Sequence, residues 1–250
     1  MPDKKLLAKE KLIFPLDVSS FKDALFFIKS LKDHVGVFKV GLELFIAKGP
    51  YILKEIKETT DAMLFLDLKL HDIPKTVNSA LKVAISYNVD FITVHCEQKN
   101  LLYLLSQSEY GRLKILGVTV LTSLDSDDLK EAGISPELAK DPSILALKRA
   151  ELAYKAGCHG VVCSGSAIEQ IRKNSGKNFT IVVPGIRPDW AKVKNEDQKR
   201  ITTPFEAIIK GADYVVVGRP ISGAKDPVLA AEMVVGEIEK ALTELKSKGD

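Results

Sequence analysis

The sequence contains few cysteines, no long hydrophobic run and no block of charge of one sign. Its three cysteines, Cys96, Cys158 and Cys163, form neither a CxxC pair nor a group with the spacing of metal ligands. An odd number of cysteines inside apolar runs predicts reduced, buried thiols in a cytoplasmic protein. No run approaches the roughly 18 apolar residues of a transmembrane helix, and the basic N-terminal segment lacks the features of a signal peptide. We therefore expect neither a membrane span nor secretion.

The charges of the chain are nearly balanced, with 36 Lys and Arg residues against 33 Asp and Glu residues and a net charge of +3. The basic residues are scattered, so no basic patch predicts binding to nucleic acid or to a membrane surface. A local site for an anion is compatible with this distribution. No segment rich in proline, glycine or serine divides the 250 residues, and we predict one domain over residues 1–250.

Apolar runs and amphipathic segments alternate along the whole chain. The apolar runs are continuous rather than broken by polar residues, which is typical of parallel strands that are covered on both faces. Helix-start residues follow several runs, such as Ser20 before one segment and Pro74 in the first turn of another. Eight alternations predict a single-domain α/β fold, the (β/α)8 TIM barrel, with an open doubly wound sheet as the alternative. The predicted strands are 12–18, 35–41, 62–70, 90–96, 113–122, 159–166, 179–186 and 213–220.

Polar residues occupy the carboxyl ends of the predicted strands, which is where the active sites of such barrels lie. Because these ends meet on one rim, we expect the side chains to converge. The long irregular segment 187–204, after the seventh strand, is expected to form a lid over this rim. The polar residues concerned are Asp17, Lys39, Asp67, Lys69, His95, Thr122, Ser164, Arg219 and, at the start of the long loop, Arg187.

The segment FLDLKLHDIPKT, residues 65–76, places two carboxylates and an ammonium close together. Asp67 and Lys69 are two residues apart, so their side chains leave a strand on the same side. Asp72 follows them, and Lys39 ends the neighbouring strand. Opposite charges favour the ammonium form of Lys69 between Asp67 and Asp72, which predicts a proton donor rather than a Schiff-base nucleophile. A nearby Lys39 acts in the other direction, and a strand-end salt bridge in solvent is the plain alternative.

A metal site is another interpretation of the same cluster. Asp67, His71, Asp72 and His95 have the oxygen and nitrogen atoms that metal ions bind. Two lysines in the same small space would repel a divalent ion, so we expect no metal.

Phosphate binding is predicted at the loops after strands seven and eight, which commonly hold phosphate in this fold through backbone N–H groups. Gly218 and Arg219 end the eighth strand, and an arginine can pair with two phosphate oxygens at once. Arg187 and Gln198 lie on the long loop nearby. Together these four residues indicate a site for a phosphorylated ligand.

The sequence DLKLHDIPKT, residues 67–76, resembles the signature Asp-x-Lys-x-x-Asp-Ile-Pro-x-Thr of the orotidine 5′-monophosphate decarboxylase family. The order and spacing of further matches resemble the bacterial single-function form. The chain departs from the family in HCEQKN at 95–100, where a glycine pair is common, and in Asp189-Trp190, where a glycine is common. The further matches are LDV at 16–18, FKVG at 38–41, VTVLTS at 118–123, PGIRP at 184–188, DQKR at 197–200 and VVGRPI at 216–221.

The resemblance implies a homodimeric enzyme that converts orotidine 5′-monophosphate (orotidylate) to uridine 5′-monophosphate and carbon dioxide without a cofactor or a metal. Lys69 would protonate C6 of the pyrimidine, and Asp67 would lie beside the substrate carboxylate. Lys39 and Asp17 would hold ribose hydroxyls. The remaining implied contacts are Asp72 and Thr76 across the dimer interface, Ile73 and Thr122 near the nucleotide, and Arg187, Gln198, Gly218 and Arg219 around the phosphate.

Two alternatives for the function remain at this point. A magnesium-dependent sugar-phosphate decarboxylase or aldolase of the same barrel superfamily typically has an acidic ligand near the position of Lys39 and follows the second Asp with Ala-Gly. Lys39 and Ile73-Pro74 argue against it. A non-catalytic barrel that binds a phosphate ligand would have no need for two cations and two carboxylates at one rim.

Overall fold

Eight parallel strands form a closed barrel in the computed structural model, which describes residues 4–106, 109–191 and 202–248. Each strand pairs with the next one along the chain, and the first strand pairs with the eighth, so no edge of the sheet is left open. This closed order confirms the predicted (β/α)8 barrel, and the open-sheet alternative is wrong. The strands are β1 (Leu12–Pro15), β2 (Val37–Gly41), β3 (Met63–Leu70), β4 (Phe91–His95), β5 (Lys114–Val118), β6 (Gly160–Val162), β7 (Thr180–Val183) and β8 (Tyr214–Val216).

Helices connect the strands, and several begin or end at residues that the sequence marks. The Ser20 hydroxyl accepts a hydrogen bond from the Asp23 N–H at 3.4 Å, and Asp141 accepts one from the Ser143 N–H at 2.8 Å. Gly49, with φ of 60°, ends the first of the two helices after β2. The helices are α1 (Lys4–Lys9), α2 (Phe21–Leu31), α3 (Leu42–Lys48), α4 (Tyr51–Thr59), α5 (Pro74–Ser86), α6 (Lys99–Ser106), α7 (Ser126–Glu131), α8 (Pro136–Ala139), α9 (Pro142–Lys155), α10 (Ile168–Ser175), α11 (Pro204–Ile209), α12 (Arg219–Ser222) and α13 (Pro227–Ser247), with a 3₁₀ turn at Asp189–Ala191.

The observed β2 and β3 end at the predicted residues 41 and 70, whereas the other six strands end earlier than predicted. β5 stops at Val118 and β6 at Val162, whereas the predicted strands continue to residues 122 and 166. Beyond these ends, Val120, Leu121 and Cys163 are apolar but line the cavity at the rim, because hydrophobicity does not mark where pairing between strands stops. The short helices α1, α7, α8 and α12 have no counterpart in the prediction. Among the described residues, no helix combines the length and the apolar character needed to cross a membrane; that residues 1–250 form one domain stays a prediction.

Apolar side chains fill the inside of the barrel below the rim. The rings of Phe65 and Phe91 meet edge to face with their centroids 6.0 Å apart. Each fully buried aromatic or aliphatic side chain stabilises the fold by about 1.5–3 kcal/mol. This inner cluster therefore stabilises the barrel directly beneath the rim. A second and larger apolar cluster lies between the barrel and its helices. The inner cluster consists of Ile13, Val37, Phe65, Phe91, Leu116, Val182 and Val216.

Candidate active site

Four charged side chains form a row across the carboxyl ends of β1, β2 and β3. The Lys39 Nζ atom lies 3.3 Å from the Asp17 Oδ1 atom and 3.4 Å from the Asp67 Oδ2 atom. The same Asp67 oxygen lies 2.9 Å from the Lys69 Nζ atom. Anions and cations therefore alternate along this charge row, which consists of Asp17, Lys39, Asp67 and Lys69. The sequence predicts this convergence, and the structure brings the four residues together.

The centre of the charge row is shielded from solvent. The side chains of Lys39 and Asp67 are only 11% and 13% exposed, whereas that of Asp17 is 64% exposed. Coulomb attraction is several times stronger in such a shielded place than in bulk water. Gly41 keeps the neighbouring space open, because a Cβ atom there would lie 3.3 Å from the Lys39 Nζ atom and 3.4 Å from the Asp17 Oδ1 atom.

Thr93 on β4 fixes the orientation of Asp67, and sequence reasoning missed it. The fully buried Thr93 hydroxyl donates to the Asp67 Oδ1 atom at 2.9 Å and accepts from the Lys69 backbone N–H at 2.9 Å. Each carboxylate oxygen of Asp67 thus has its own partner. A signal was present, because Thr93 is a hydroxyl residue inside the apolar run of β4, two residues before His95.

The environment of Asp67 keeps its carboxylate charged. Burial raises the pKa of Asp67, but the ammonium groups of Lys39 and Lys69 and the hydrogen bonds from Lys69 and Thr93 outweigh burial, so the pKa lies below its usual range. The same carboxylate lies 2.9 Å from the Lys69 Nζ atom. Asp67 is therefore a charged counter-ion for both Lys39 and Lys69.

A bulge at the end of β3 sets the direction of Lys69. Between Leu66 and Leu70, β3 uses four residue steps where the neighbouring β4 uses two, and Lys69 has φ of 49°. A non-glycine residue in this left-handed region costs about 1–3 kcal/mol and persists only where surrounding contacts hold it. Bulges of this kind occur next to active sites, where they re-aim a side chain. The prediction from sequence assumes a regular strand, in which alternate side chains share a face, and so does not foresee this bulge.

Asp72 lies apart from Lys69 within the chain, which corrects the expectation that Lys69 is held between two carboxylates. The described ion pairs include one between Lys69 and Asp67 but none between Lys69 and Asp72. The exposed Asp72 carboxylate accepts the Ile73 backbone N–H at 2.6 Å. The reason is the turn into α5, where Pro74 occupies the first helical position and directs the segment outward. Ile73, at 64% exposure, and Thr76 are also exposed there.

The predicted phosphate-binding residues lie at the loops after β7 and β8. Arg187 is buried, its Nη1 atom donates to the Ile186 carbonyl at 3.0 Å, and its backbone N–H donates to the Thr202 carbonyl at 3.0 Å. Arg219 is exposed at the start of α12. Gly218 precedes it in close contact with β1, because a Cβ atom there would lie 2.9 Å from the Pro15 side chain. The remaining predicted residue, Gln198, and most of the predicted lid lie outside the described residues.

A cavity of about 150 Å³ opens above the inner apolar cluster of the barrel, beside the charge row. Its polar lining comes from Lys39, Asp67, Lys69 and Thr122, and the rest of the wall is apolar. Such a cavity can hold a small flat ring with one charged edge against the ammonium of Lys69. His95 and Ser164, which the sequence also indicates, are not among the lining residues. The apolar lining residues are Phe65, Val118, Val120, Leu121, Val162, Cys163, Pro184 and Val216.

A larger cavity, of about 440 Å³, lies at the opposite end of the barrel between Lys11, Lys114 and Tyr214. These residues lie at the amino ends of the strands, whereas catalysis in such barrels takes place at the carboxyl ends. We therefore place the active site in the smaller cavity.

The donor groups near the rim do not form a metal site. In residues 4–106, 109–191 and 202–248, no three His, Cys, Asp or Glu side chains lie close enough together to hold a metal ion. The rings of His71 and His95 stack on each other with centroids 4.7 Å apart. The Asp67 oxygens face two ammonium groups and a hydroxyl, which satisfy the anion without a metal.

The three cysteines are free and buried, as the sequence predicts. The Sγ atoms of Cys96 and Cys158 lie 4.0 Å apart. Burial raises the pKa of Cys163 to about 12, so the thiol that lines the cavity is neutral near pH 7 and is a poor nucleophile. It therefore belongs to the apolar wall.

Comparison with known proteins relates this chain to one family. Residues 10–234 match the model of the orotidine 5′-phosphate decarboxylase / HUMPS family. The orotidine 5′-phosphate decarboxylase of Desulfosudis oleivorans is 45% identical over 94% of this chain and 95% of that protein. The enzyme of the same name from Trichlorobacter lovleyi is 43% identical over 92% of this chain and 96% of that protein. The crystal structure of orotidine 5′-phosphate decarboxylase from Lactobacillus acidophilus matches with a TM-score of 0.77 at 30% identity, covering 91% of this chain and 98% of that chain.

Proposed function

Since the chain belongs to the orotidine 5′-phosphate decarboxylase / HUMPS family, we propose that it decarboxylates orotidylate to uridine 5′-monophosphate, the last step of de novo UMP synthesis. The observation that supports this best is the ammonium of Lys69, held 2.9 Å from the shielded Asp67 carboxylate at the cavity wall. The reaction requires a cation at the place where negative charge develops, and the charge row supplies one. The enzyme is accordingly a carboxy-lyase.

The chemistry follows from the position of Lys69. When the bond between C6 and the carboxylate breaks, carbon dioxide leaves and the electron pair stays on C6 as a localised carbanion. A fixed ammonium lowers the energy of this charge as it forms. The Nζ atom then gives a proton to C6, which completes the uracil ring, and Lys69 regains a proton from solvent.

The other members of the charge row position the reacting groups. Asp67 holds the ammonium of Lys69 through the 2.9 Å contact and is itself held by Thr93. It would lie beside the substrate carboxylate. Lys39 and Asp17, at the outer end of the row, have hydrogen-bonding atoms suited to the ribose hydroxyls. Thr122, in the cavity wall, would lie near the base.

The phosphate would be held at the loops after β7 and β8, and β8 is the neighbour of β1 in the barrel. Arg219 supplies an exposed guanidinium, and Gly218 brings the backbone close to β1. Arg187 and Gln198 are proposed as the partners from the long loop. The guanidinium groups match the geometry of phosphate oxygens.

We also propose that two copies of the chain form a homodimer with shared active sites. Asp72, Ile73 and Thr76 are exposed on one segment beside the rim, and Ile73 is a large apolar side chain at 64% exposure. An interface would bury Ile73 and bring Asp72 and Thr76 to the partner's nucleotide. Sedimentation should show a dimer, and Ile73→Arg should yield a monomer with reduced turnover, because a charged side chain resists burial. Leu229→Arg, on α13 at 54% exposure, is the matched control; a monomeric wild type with full activity would contradict the proposal.

The absorbance change as purified protein converts orotidylate to uridylate tests the function. We expect turnover with no added metal and an unchanged rate in EDTA, because the ammonium of Lys69 takes the place of a Lewis acid. A magnesium-dependent sugar-phosphate enzyme would lose its activity in the chelator. Absence of orotidylate turnover under both conditions would reject the proposed reaction.

The buried free thiols also suggest where the enzyme works. Three unpaired cysteines, two of them with Sγ atoms 4.0 Å apart, fit a reducing compartment. We propose a cytoplasmic location, which fractionation of cells would check.

A further inference from the structure

A chain of four side chains links an outer helix to the end of β3. The Nη2 atom of Arg149, on α9, lies 2.9 Å from the Glu97 Oε1 atom. The same oxygen lies 3.3 Å from the His95 Nδ1 atom. The His95 ring stacks on the His71 ring at 4.7 Å between centroids. His71 follows Lys69 by two residues, so the contacts lead from α9 to the proton donor.

The outer two side chains of this series, Arg149 and Glu97, connect α9, β4 and β5. Arg149 also donates from its Nη1 atom to the Thr119 carbonyl, just beyond β5, at 2.6 Å. One guanidinium therefore joins α9 to the carboxyl ends of both β4 and β5. Burial raises the pKa of Glu97, but the hydrogen bond with His95 and the charge of Arg149 outweigh it, and the carboxylate stays charged.

The inner two side chains, His95 and His71, lie next to the strained backbone of Lys69. Lys69 has φ of 49°, in the left-handed region, and its N–H is held by the Thr93 hydroxyl at 2.9 Å. A further contact of this segment with β4 is the stack of His71 on His95. A strained residue keeps its conformation only while its neighbours hold it. The orientation of His95 therefore matters for Lys69.

We propose that Glu97 and Arg149 are positioning residues that hold the Lys69 ammonium in place by fixing His95 beneath the end of β3. The inference rests on the proposed function, since it assigns Lys69 as the proton donor. Neither Glu97 nor Arg149 lines the cavity beside the Lys69 ammonium. Their effect passes through the His95–His71 stack and the bulge of β3.

Kinetics of Glu97→Gln and Arg149→Met test the proposal. Displacing a reacting group by a fraction of an ångström to 1 Å costs up to about 10²-fold, so we expect kcat for orotidylate to fall roughly 10-fold or more. KM should stay within about twofold, because the phosphate and ribose contacts are untouched. Arg149→Lys keeps the charge and one hydrogen bond, and it should recover part of the loss.

The ion pair of Arg172 with Asp213 provides a matched control. Its side chains are 18% and 32% exposed, against 17% and 31% for Arg149 and Glu97. Arg172 likewise bridges a carboxylate, at 2.6 Å, and a backbone carbonyl, that of Gly211, at 2.8 Å. Asp213 directly precedes β8, at the end of the barrel away from the charge row. Arg172→Met should therefore lower the melting temperature and leave kcat unchanged.

Amide hydrogen exchange at Lys69 gives a second readout that needs no turnover. Loosening of the β3 end should speed exchange of the Lys69 N–H about 10-fold in Glu97→Gln and not in Arg172→Met. An active wild type whose Glu97→Gln variant keeps both kcat and Lys69 exchange would overturn the inference, as would an equal loss of kcat in Arg172→Met. If the wild type fails to convert orotidylate, the proposed function is wrong, and the exchange at Lys69 alone decides whether Glu97 holds this segment.

Discussion

Replacement of Lys69 by alanine should lower kcat for orotidylate at least about 10⁴-fold, while binding of uridine 5′-monophosphate changes by less than about tenfold. In the proposed mechanism, the substitution removes the cation that stabilises the developing carbanion and also the proton that ends the reaction. Both losses fall on the transition state, whereas the product nucleotide is held by its ribose and phosphate. Single-turnover absorbance measurements and titration with the product, both at pH 7, separate the two effects.

The matched control for Lys69→Ala is Lys57→Ala. The Lys57 Nζ atom lies 2.7 Å from the Asp90 Oδ2 atom, and its side chain is 23% exposed, so an equally short lysine–aspartate pair is lost. Asp90 precedes β4 at the far end of the barrel. Lys57→Ala should therefore affect stability and not turnover. A Lys69→Ala enzyme with nearly normal kcat would show that another group protonates C6.

Orotidine, the nucleoside without the phosphate, should react with a kcat/KM at least about 10³-fold below that of orotidylate. The phosphate is remote from C6, but its binding free energy can hold the base against Lys69 and close the rim. Losing it should therefore lower kcat as well as raise KM. Steady-state rates for both substrates, measured with the same enzyme preparation, give the ratio.

Arg219→Ala tests whether Arg219 binds the phosphate of the substrate. A charge-assisted pair lost from the phosphate should lower kcat/KM for orotidylate about 10²-fold. The rate with orotidine should stay within about twofold of wild type, because that substrate has no group for Arg219 to bind. Arg112→Ala, which removes a 61% exposed guanidinium before β5, is the control. Equal losses with both substrates would mean that Arg219 acts on the base or on folding instead.

The barrel itself was open to prediction because its signals are local. Each strand is a short apolar run, and Ser20, Gly49, Pro74 and Asp141 mark helix ends by their own backbone and capping chemistry. Predicted strands ran too long at β5 and β6, where apolar residues leave the sheet to line the cavity. Periodicity reports burial, and a cavity wall is buried in the same way as a strand.

The candidate site was predicted where one segment contains it and missed where distant segments meet. Asp67 and Lys69 stand two residues apart, so their proximity follows from sequence, whereas Thr93 reaches Asp67 from another strand. The outward position of Asp72 depends on the turn into α5, and the bulge at Lys69 depends on pairing with β4. Glu97 meets Arg149 across more than fifty residues of chain. Contacts of this kind depend on the closed barrel and leave no mark in either segment alone.

The alternation of sign along the charge row has a consequence for the balance of charge in the protein without its nucleotide. Each cation already faces a counter-ion, since Lys39 lies between Asp17 and Asp67, and Lys69 lies against Asp67. The two positive and two negative charges of the row sum to zero, and attraction within the close ion pairs opposes the repulsion between like charges further apart. The charge row therefore has its counter-ions within the chain itself and does not depend on a bound anion to balance its two lysines.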